Sequence, residues 1–339
     1  MPRRTRRTNI TSAEKMALIN PNNLSLKEDF LLYLRSINRS SGTIAGYDSD
    51  LNIAFTYIMD NLGNKDFQKL SKRDLIKLQN WLVSEELSPA RIRRLKSAIS
   101  SLSNYCENIL SDDDPDFEGY RSIIRKIESP PLRPVREKTV WDEDELQGLL
   151  DALTERREYK KACYVALAMY GGRRKSELAR FRVSDFSRDK LVCGGALYKS
   201  DPILTKGNKM LNCYTLAKNF QPYLDRWMNE RSVIGIDSPW LFPSSVDPSE
   251  KVSVAVLDNW ADQFSRMTGK DFYPHSLRHF YVTSLSKAGI PATVIKTIVG
   301  WASVDLVSVY DDTTSDEMLE KYFGEEGIKQ VESKSLSDL

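Results

Sequence analysis

The sequence has few of the residues that build metal and redox sites. Among its 339 residues there are two histidines and four cysteines, and no cysteine stands in CxxC spacing or beside a histidine. This scarcity argues against a zinc site and against a redox motif. We therefore expect free thiols, no metal and no cofactor.

Long apolar runs are also missing. No segment approaches the ~20 apolar residues of a membrane span, and no apolar stretch follows the basic N-terminus, which argues against a secretory signal. The composition, 41% hydrophobic and 28% charged, is typical of a soluble globular protein. We expect no membrane partner and a cytoplasmic location, and the length favours two domains of ordinary size.

A large excess of one charge is absent too, because the formal net charge is only +2. The balance is uneven along the chain. Residues 1–110 hold 17 Lys and Arg against 11 Asp and Glu, whereas residues 311–339 hold 3 against 9. A basic body beside an acidic tail favours a polyanionic partner, although many protein surfaces have this character.

Proline content and charge divide the chain into five parts. The predicted parts are a basic flexible arm (1–23), a helical domain (24–128), a proline-rich linker (129–139), a domain of helices and short strands (140–325) and an acidic tail (326–339). Arg3 and Arg4 are candidates for contacts to nucleic-acid phosphates. An inert solvated terminus is the alternative.

Apolar residues recur at helical spacing through 24–108. Ser71 and Asp74 predict the start of a helix at 72–85, and a further helix begins near Pro89. That helix carries a basic cluster, which is either a solvated face or a surface that enters a major groove. The cluster consists of Arg91, Arg93, Arg94 and Lys96. Beyond it we predict an acidic loop at 111–118 and a short helix at Tyr120–Ile127.

The second half mixes helices with short strands. The predicted helices are 142–155, 158–170, 254–267, 275–288, 291–298 and 303–310. The predicted strands are 191–192, 203–204 and 213–216.

Two clusters in this half carry basic residues. In GGRRKSELARF, 171–181, two glycines end a helix and a short helix restarts at about Lys175. Arg174 and Glu177 then share a face, so the carboxylate can fix a guanidinium for a phosphate, unless the pair is an ordinary surface ion pair. In TKGNK, 205–209, a hairpin tip carries Lys206 and Lys209. Such a lysine can give a proton to a leaving oxygen, or the tip is only a turn.

The third cluster, PHSLRHF at 274–280, contains both histidines of the chain. Pro274 suits a helix start and Gly289 a helix end. On this helix we predict that His275, Arg278 and His279 face one way and the apolar residues another.

The fourth cluster is VGWASVDLVSVY, 299–310, with Trp301 and Tyr310 nine residues apart. Either aromatic would ordinarily belong to a core. Nothing in composition or periodicity marks Tyr310 as reactive.

Together and in this order, the four clusters resemble the tyrosine recombinase (phage integrase) family. That family pattern has an arginine in Thr-Gly-x-Arg-x-Ser-Glu-Leu, a lysine in a β-hairpin, His-x-x-Arg-His, then Leu-Gly-His or Leu-Gly-Trp, with a tyrosine nine residues later. The matching residues here are Arg174 with Ser176-Glu177-Leu178, Lys206, His275 with Arg278 and His279, Gly300-Trp301, and Tyr310. The matching stretch is roughly 140–325, and 24–108 resembles the core-binding domain of the family in pattern only.

Some positions depart from the pattern. Arg173 and Lys175 stand where the family usually has apolar residues, so Arg173 competes with Arg174 for the first arginine position. Trp301 replaces the commoner histidine. Lys199 and Lys209 compete with Lys206 for the lysine position.

The resemblance implies a mainly α fold with a small antiparallel β-sheet, in which a helical core-binding domain and an α+β catalytic domain form a C-shaped clamp on double-stranded DNA. The implied activity is that of a site-specific recombinase or integrase, for a mobile genetic element, that cuts and rejoins DNA through a covalent 3′-phosphotyrosine. The implied assembly is a homo-tetramer on two DNA sites. A helix around Met318–Tyr322 would dock on a neighbouring protomer or on its own domain.

The resemblance also implies a role for each residue. Tyr310 would be the nucleophile, Arg174 and Arg278 would clamp the phosphate, and Lys206 would protonate the leaving 5′-oxygen. His275 would accept or place the tyrosine proton, and Trp301 would bind a phosphate oxygen through its indole N–H or pack. Glu177 would orient Arg174, with His279 in support.

Two alternatives remain open. A type IB topoisomerase or a hairpin telomere resolvase shares this chemistry but has a different outcome. A DNA-binding regulator with a vestigial site is the alternative of another class.

Overall fold

The computed structural model describes residues 10–124, 127–131, 138–205, 209–314, 323–324 and 327–328. The chain divides into two compact units, an N-terminal unit at Arg3–Glu137 and a C-terminal unit that begins at Lys138. The boundaries of the five predicted parts stay a prediction. In the described part of the chain, no helix is both long and apolar enough to cross a membrane.

The described elements of the N-terminal unit are helical. They are α1 (Ala13–Ala17), α2 (Pro21–Ser36), α3 (Ser41–Asn61), α4 (Lys72–Ser84), α5 (Pro89–Tyr105) and α6 (Ser111–Asp113), with a π-helical turn (Cys106–Leu110) and two 3-10 turns (Phe67–Lys69 and Pro115–Phe117). The helices predicted within 24–108 are therefore confirmed. So is the start of α4, where the Ser71 side chain accepts from the Asp74 N–H and the Asp74 carboxylate accepts from the Ser71 N–H at 3.0 Å.

The core of this unit comes from the spacing of apolar residues. On α5, Ile92, Leu95, Ile99 and Leu102 are each at most 3% exposed, as expected for a stripe that repeats every three or four residues. This stripe packs against α3 and α4. Of the basic residues of α5, Arg93 and Arg94 are exposed, whereas Arg91 and Lys96 are partly buried.

Three predictions for this unit are wrong. Part of the predicted arm is helical, because Ser12 caps α1 and Pro21 begins α2 after the cap residue Asn20. The predicted acidic loop contains α6 and a 3-10 turn. No helix covers the described part of Tyr120–Ile127, where Tyr120 and Ile124 lie buried as single anchors in an irregular segment. Arg3 and Arg4 lie outside the described residues.

The C-terminal unit surrounds one core with helices and carries short strands. Its helices are α7 (Glu143–Glu155), α8 (Tyr159–Gly171), α9 (Lys175–Leu178), α10 (Ala217–Val233), α11 (Val254–Thr268), α12 (Pro274–Lys287), α13 (Ala292–Val299) and α14 (Asp305–Tyr310). Its strands are β1 (Leu191–Val192), β2 (Leu197–Lys199), β3 (Ile203–Leu204), β4 (Met210–Leu211), β5 (Tyr214–Leu216), β6 (Phe323–Gly324) and β7 (Gly327–Ile328). The predicted fold class, mainly α with a small antiparallel sheet, is confirmed.

The strands form three antiparallel groups. β2 lies between β1 and β5, with Leu197 paired to Val192 and to Leu216. β3 pairs with β4, and β6 pairs with β7. The predicted hairpin around TKGNK is present, but β3 closes on β4 rather than on the predicted strand 213–216. The predicted helix at 318–322 lies outside the described residues.

Helix α8 is the centre of this unit. Its ten residues from Ala162 to Gly171 are all buried, and α7, α10 and α12 pack around it. A helix with no polar face after its first turn can only lie inside a core. The predicted free thiols are confirmed for all four cysteines, of which only Cys193 is exposed.

The end of α8 brings the first candidate cluster into place. Gly172 adopts a left-handed conformation, and a Cβ there would lie 2.2 Å from the ring of Tyr281 on α12. Only glycine fits both the backbone angle and the space. The chain therefore turns sharply against α12, and Arg173 and Arg174 follow at once.

Candidate active site

The turn between α8 and α9 holds Arg174 on a buried carboxylate. Arg174 precedes α9, and its Nη1 donates to Glu177 Oε1 at 2.9 Å while its backbone N–H donates to Oε2 at 3.2 Å. Glu177 is 1% exposed, whereas the Arg174 side chain keeps one third of its surface open. The guanidinium is thus fixed at one end and available at the other.

Arg278 lies on α12 and is fully buried. Its Nη1 is 3.9 Å from Glu177 Oε2, and its Nη2 donates to the Val299 carbonyl at 3.5 Å. Burial, then the nearby Arg174, lower the pKa of Arg278 to about 10. Its Nε and Nη1 have no hydrogen-bond partner among the described residues. A buried cation with unused donors is costly, and an anion would relieve that cost.

As predicted, His275, Arg278 and His279 face one way, since all three lie against Tyr310. Arg278 is in addition enclosed, because the segment from α13 to α14 covers it. Its guanidinium carbon lies 5.0 Å from the ring centre of Trp301 and 5.6 Å from that of Tyr310. Arg278 is therefore enclosed between Glu177 and two aromatic rings.

His275 and Tyr310 are joined by a hydrogen bond of 2.7 Å between Nε2 and the phenolic oxygen. The pKa of His275 is lowered to about 4, first by partial desolvation of its ring and then by Arg278, His279 and Arg174, although the residue keeps an exposed surface. The imidazole is therefore neutral near pH 7. With its proton on Nδ1, the Nε2 atom accepts the phenolic proton of Tyr310.

Aromatic rings fix the orientation of Tyr310. His279 stacks on it with ring centres 4.5 Å apart and a 23° angle, and Trp301 lies 4.7 Å away at 43°. Trp301 is 7% exposed. The phenol ring packs against both of these rings, with its hydroxyl directed at His275.

The segment that follows Tyr310 is tied to α12 by contacts that the sequence did not suggest. Thr283 Oγ1 donates to the Tyr310 carbonyl at 3.4 Å and accepts from the Asp312 N–H at 2.9 Å. Ser286 bonds the Asp311 carboxylate, and Lys138 forms an ion pair with Asp312. The available signal was a polar stripe on α12, because His275, His279, Thr283 and Ser286 follow one another at helical spacing.

The lysine position is less defined. Lys206 lies outside the described residues. The hairpin around it is closed, since Thr205 donates to the Lys209 carbonyl through its N–H at 2.7 Å and its hydroxyl at 3.0 Å. Lys199 on β2 and Lys209 before β4 are both exposed. The identity of the proton donor among these three lysines stays a prediction.

The described site carries a surplus of positive charge. Arg174 and Arg278 contact one carboxylate, Glu177, and the buried Arg173 lies near Arg278, while His275 is neutral. Guanidinium groups that are fixed in a poorly solvated pocket suit a phosphate whose charge grows during a reaction. Among the described residues, no group of three His, Cys, Asp or Glu lies close enough to hold a metal ion.

The basic cluster on α5 has a different environment. Arg94 makes two hydrogen bonds to the buried Asp50 carboxylate, at 2.9 and 3.0 Å, and Arg91 forms an ion pair with the same group. Arg93 donates to the Pro130 carbonyl at 3.1 Å, and Lys96 bonds Ile127 and Ser129. All four side chains have partners inside the N-terminal unit. About half of the Arg94 side chain (54%) remains exposed.

The sequence model of the phage integrase family matches residues 139–317, which contain every described residue of this site. The chain belongs to the phage integrase family. As a member of it, the chain is a tyrosine-type site-specific recombinase.

Curated relatives agree with this assignment. An SPbeta prophage-derived recombinase-like protein, YomM of Bacillus subtilis, is 29% identical over 248 residues, which cover 70% of this chain and 72% of the relative. A tyrosine recombinase of Thermosipho africanus is 24% identical over 304 residues, 85% of this chain and 93% of the relative.

Solved structures share the fold. XerH site-specific recombinase bound to its difH substrate, in a pre-cleavage complex, matches with a TM-score of 0.64 at 17% identity, over 89% of this chain and 96% of that one. A lambda integrase tetramer bound to a Holliday junction matches with a TM-score of 0.61 at 14% identity, over 85% and 77%.

Proposed function

We propose that this integrase-family protein cuts and rejoins double-stranded DNA at specific sites for a mobile element, with Tyr310 as the nucleophile. The observation that carries the proposal is the 2.7 Å hydrogen bond between Tyr310 and a neutral His275, beside the enclosed guanidinium of Arg278, two of whose nitrogens have no hydrogen-bond partner in the described part of the chain. A nucleophile, its proton acceptor and a phosphate-binding group thus lie together. The prophage-derived relative supports a mobile element.

In the first step the Tyr310 oxygen attacks the scissile phosphorus, and its proton passes to His275 Nε2. A phosphate close to the imidazole raises the histidine pKa, so the base strengthens when DNA is bound. The bond from phosphorus to the 5′-oxygen breaks, which leaves a 3′-phosphotyrosine and a free 5′-hydroxyl. The phosphodiester is conserved, and the reverse reaction joins a 5′-hydroxyl to a new 3′ end.

Arg174 and Arg278 bind the non-bridging oxygens in this scheme. Both guanidiniums contact Glu177, at 2.9 and 3.9 Å, so one carboxylate sets the positions of two cations. Groups fixed before the reaction stabilise the transition state without having to reorganise. A lysine of the β3–β4 hairpin, Lys206 in our proposal, protonates the leaving oxygen.

The proposed partners are double-stranded DNA and three further copies of the chain. The solved relative that binds a Holliday junction does so as a tetramer, and a junction is the expected intermediate when two DNA sites exchange strands. We propose that the N-terminal and C-terminal units bind opposite sides of the duplex as a clamp. Arg94, the most exposed of the α5 arginines that pair with Asp50, is then the leading phosphate contact of the first unit.

The proposal is tested with a suicide substrate, nicked beside the cleavage point so that rejoining fails. The site is first recovered by sequencing the fragments that the chain traps covalently from sheared, lightly nicked genomic DNA of its host. We expect a covalent protein–DNA adduct with the unmodified chain and none with Tyr310→Phe. An adduct with Tyr310→Phe, or none with the unmodified chain, would refute the assignment.

A supercoiled plasmid separates the recombinase from the topoisomerase alternative. Plasmids with and without two copies of the recovered site are incubated with the chain. A recombinase gives deletion or inversion products that depend on the sites. Relaxation of both plasmids without such products would favour a topoisomerase, and formation of hairpin ends would favour a telomere resolvase.

A further inference from the structure

Arg173 is a fully buried arginine that the proposed chemistry does not use. It stands immediately before Arg174, at a position where the family pattern usually has an apolar residue, and it is 1% exposed. Its Nη1 donates to the Val299 carbonyl at 3.2 Å and its Nη2 donates to the Ile298 carbonyl. Burial of a charged side chain costs solvation free energy, and the hydrogen bonds to these two carbonyls offset part of that cost.

These contacts cap the end of α13. The last carbonyls of a helix have no partner within the helix, and they lie at the negative end of its dipole. The guanidinium of Arg173 provides two donors and a positive charge at that point. The helix then ends at Gly300, which is left-handed, and the Trp301 N–H donates back to Lys296 at 3.0 Å.

The capped end of α13 is also a junction of the active site. The Val299 carbonyl accepts from Arg173 at 3.2 Å and from Arg278 at 3.5 Å, so both guanidiniums contact one atom. Two residues later, the Trp301 ring lies 5.0 Å from Arg278 and 4.7 Å from the ring of Tyr310. Displacement of this helix end would therefore move groups on two sides of the nucleophile.

The packing around Gly300 and Gly172 leaves little space for the end of α13 or the α8–α9 turn to move. A Cβ on Gly300 would lie 3.1 Å from Leu211 of β4 and 3.5 Å from Arg173 Nη1. On the other side, the turn that contains Arg173 is fixed by Gly172 against Tyr281. Arg173 thus connects the α8–α9 turn to the end of α13. Both segments are already held by tight packing, at Gly172 and at Gly300.

We propose that Arg173 is a positioning residue for strand cleavage, which holds the end of α13 so that Trp301 and Arg278 are set against Tyr310. This inference rests on the proposed function. It assigns the arginine no contact with DNA. Replacement by an apolar residue leaves the two carbonyls without their donors and allows the helix end to shift.

The test compares two buried arginines of the C-terminal unit, each of which donates hydrogen bonds to backbone carbonyls. Arg231 is 4% exposed and donates to the carbonyls of Ser238, Trp240 and Leu241, none of which belongs to the site. Arg173→Met and the matched control Arg231→Met are each compared with the unmodified chain. The measurements are the rate of adduct formation at saturating suicide substrate, the affinity for uncleaved DNA and the unfolding midpoint.

We expect Arg173→Met to reduce the cleavage rate by roughly 10- to 100-fold with unchanged DNA affinity, as for a misplacement of reacting groups by about 1 Å. Arg231→Met should lower the unfolding midpoint while DNA-bound protein cleaves at the normal rate. Arg173→Lys, which keeps the charge and one donor, should recover part of the rate. If Arg173→Met does not fold, Arg173→Gln takes its place, because its amide still donates to one carbonyl.

A double-substitution cycle with Trp301→Ala asks whether Arg173 acts through the helix end. If it does, Arg173→Met should slow cleavage much less in the Trp301→Ala background than in the unmodified chain. Independent effects would multiply, and that result would overturn the inference. So would a normal rate in Arg173→Met while the unmodified chain forms adduct. An unmodified chain that forms no adduct would instead refute the proposed function, and the inference with it.

Discussion

Two groups of arginines in this protein differ in what surrounds them. On α5 of the N-terminal unit, Arg91 and Arg94 share the buried Asp50 carboxylate, which neutralises much of their charge. In the C-terminal unit, Arg174 and Arg278 share Glu177, Arg173 is buried nearby, and Arg278 keeps two nitrogens without a hydrogen-bond partner among the described residues. Uncompensated buried charge, and not the number of arginines, distinguishes a reactive phosphate site from a structural ion cluster.

The largest expected effect concerns Arg278. Arg278→Met removes a guanidinium aimed at the phosphate, so adduct formation should fall by at least about 10²-fold, as for loss of one transition-state donor. The unfolding free energy should stay unchanged or rise, because a buried cation with two unpaired nitrogens among the described residues is replaced by an apolar side chain of similar volume, while Glu177 keeps its pairing with Arg174. Both are measured on the same preparation. A strong loss of stability would show that Arg278 supports the fold rather than the phosphate.

In the N-terminal unit, replacement of arginines should instead lower the unfolding free energy. Replacing both Arg91 and Arg94 by Met leaves Asp50 buried without its cations, and should lower the unfolding free energy by about 3–5 kcal/mol. Denaturant titration measures the loss. An exposed basic residue in the same unit, Lys72, provides the control through Lys72→Met. Equal stability of the double variant and the control would contradict the claim that the α5 arginines, unlike Arg278, stabilise the fold.

The double variant should also respond to pH. Burial already raises the pKa of Asp50 even with arginines present, and their removal should raise it further. A folded-state pKa above the ordinary value means that the folded state binds the proton more tightly. The double variant should therefore lose stability as pH rises from the ordinary aspartate range towards neutrality. A stability that is flat over this range would contradict the explanation.

The smallest expected effect concerns the protonation of the two histidines. The pKa of His275 is lowered to about 4 and that of His279 is lowered as well, so both rings should titrate below the ordinary histidine range. The chain has only these two histidines, and NMR of their ring protons, assigned with His279→Gln, measures both. Their ordinary pKa exceeds the folded value, so stability should fall as pH drops from 6.5 towards 4. A His275 that titrates at 6.5 in the free protein would contradict the neutral acceptor.

Most of the fold was predictable where the chain carries local signals. The start of α4, the glycine end of α8 and the proline start of α12 each depend on neighbouring residues. Helix α10 was not predicted, because Pro222 lies inside it and its sequence is largely polar. Phe220, Leu224 and Trp227 become a buried face only once α8 is present to receive them.

The sequence predicted which residues of the candidate site would lie together, but not which contacts they would make. The ordered motifs indicated Arg174, His275, Arg278, Trp301 and Tyr310, which the structure brings together. No local pattern indicated that Arg278 would be enclosed, since the residues that contact it, Val299, Trp301 and Tyr310, lie more than 20 residues away in sequence. Likewise, Arg91 and Arg94 pair with Asp50, which lies about 40 residues earlier in the chain, so no local pattern predicted that pairing.

The most direct test of this account is to identify the residue that carries the DNA. The adduct formed on the suicide substrate is digested with protease and nuclease, and the modified peptide is sequenced by mass spectrometry. We expect a nucleotide linked through its 3′-phosphate to Tyr310, with a free 5′-hydroxyl on the released strand. A link to any other residue, or through a 5′-phosphate, would contradict the assignment of Tyr310 and His275 as nucleophile and proton acceptor.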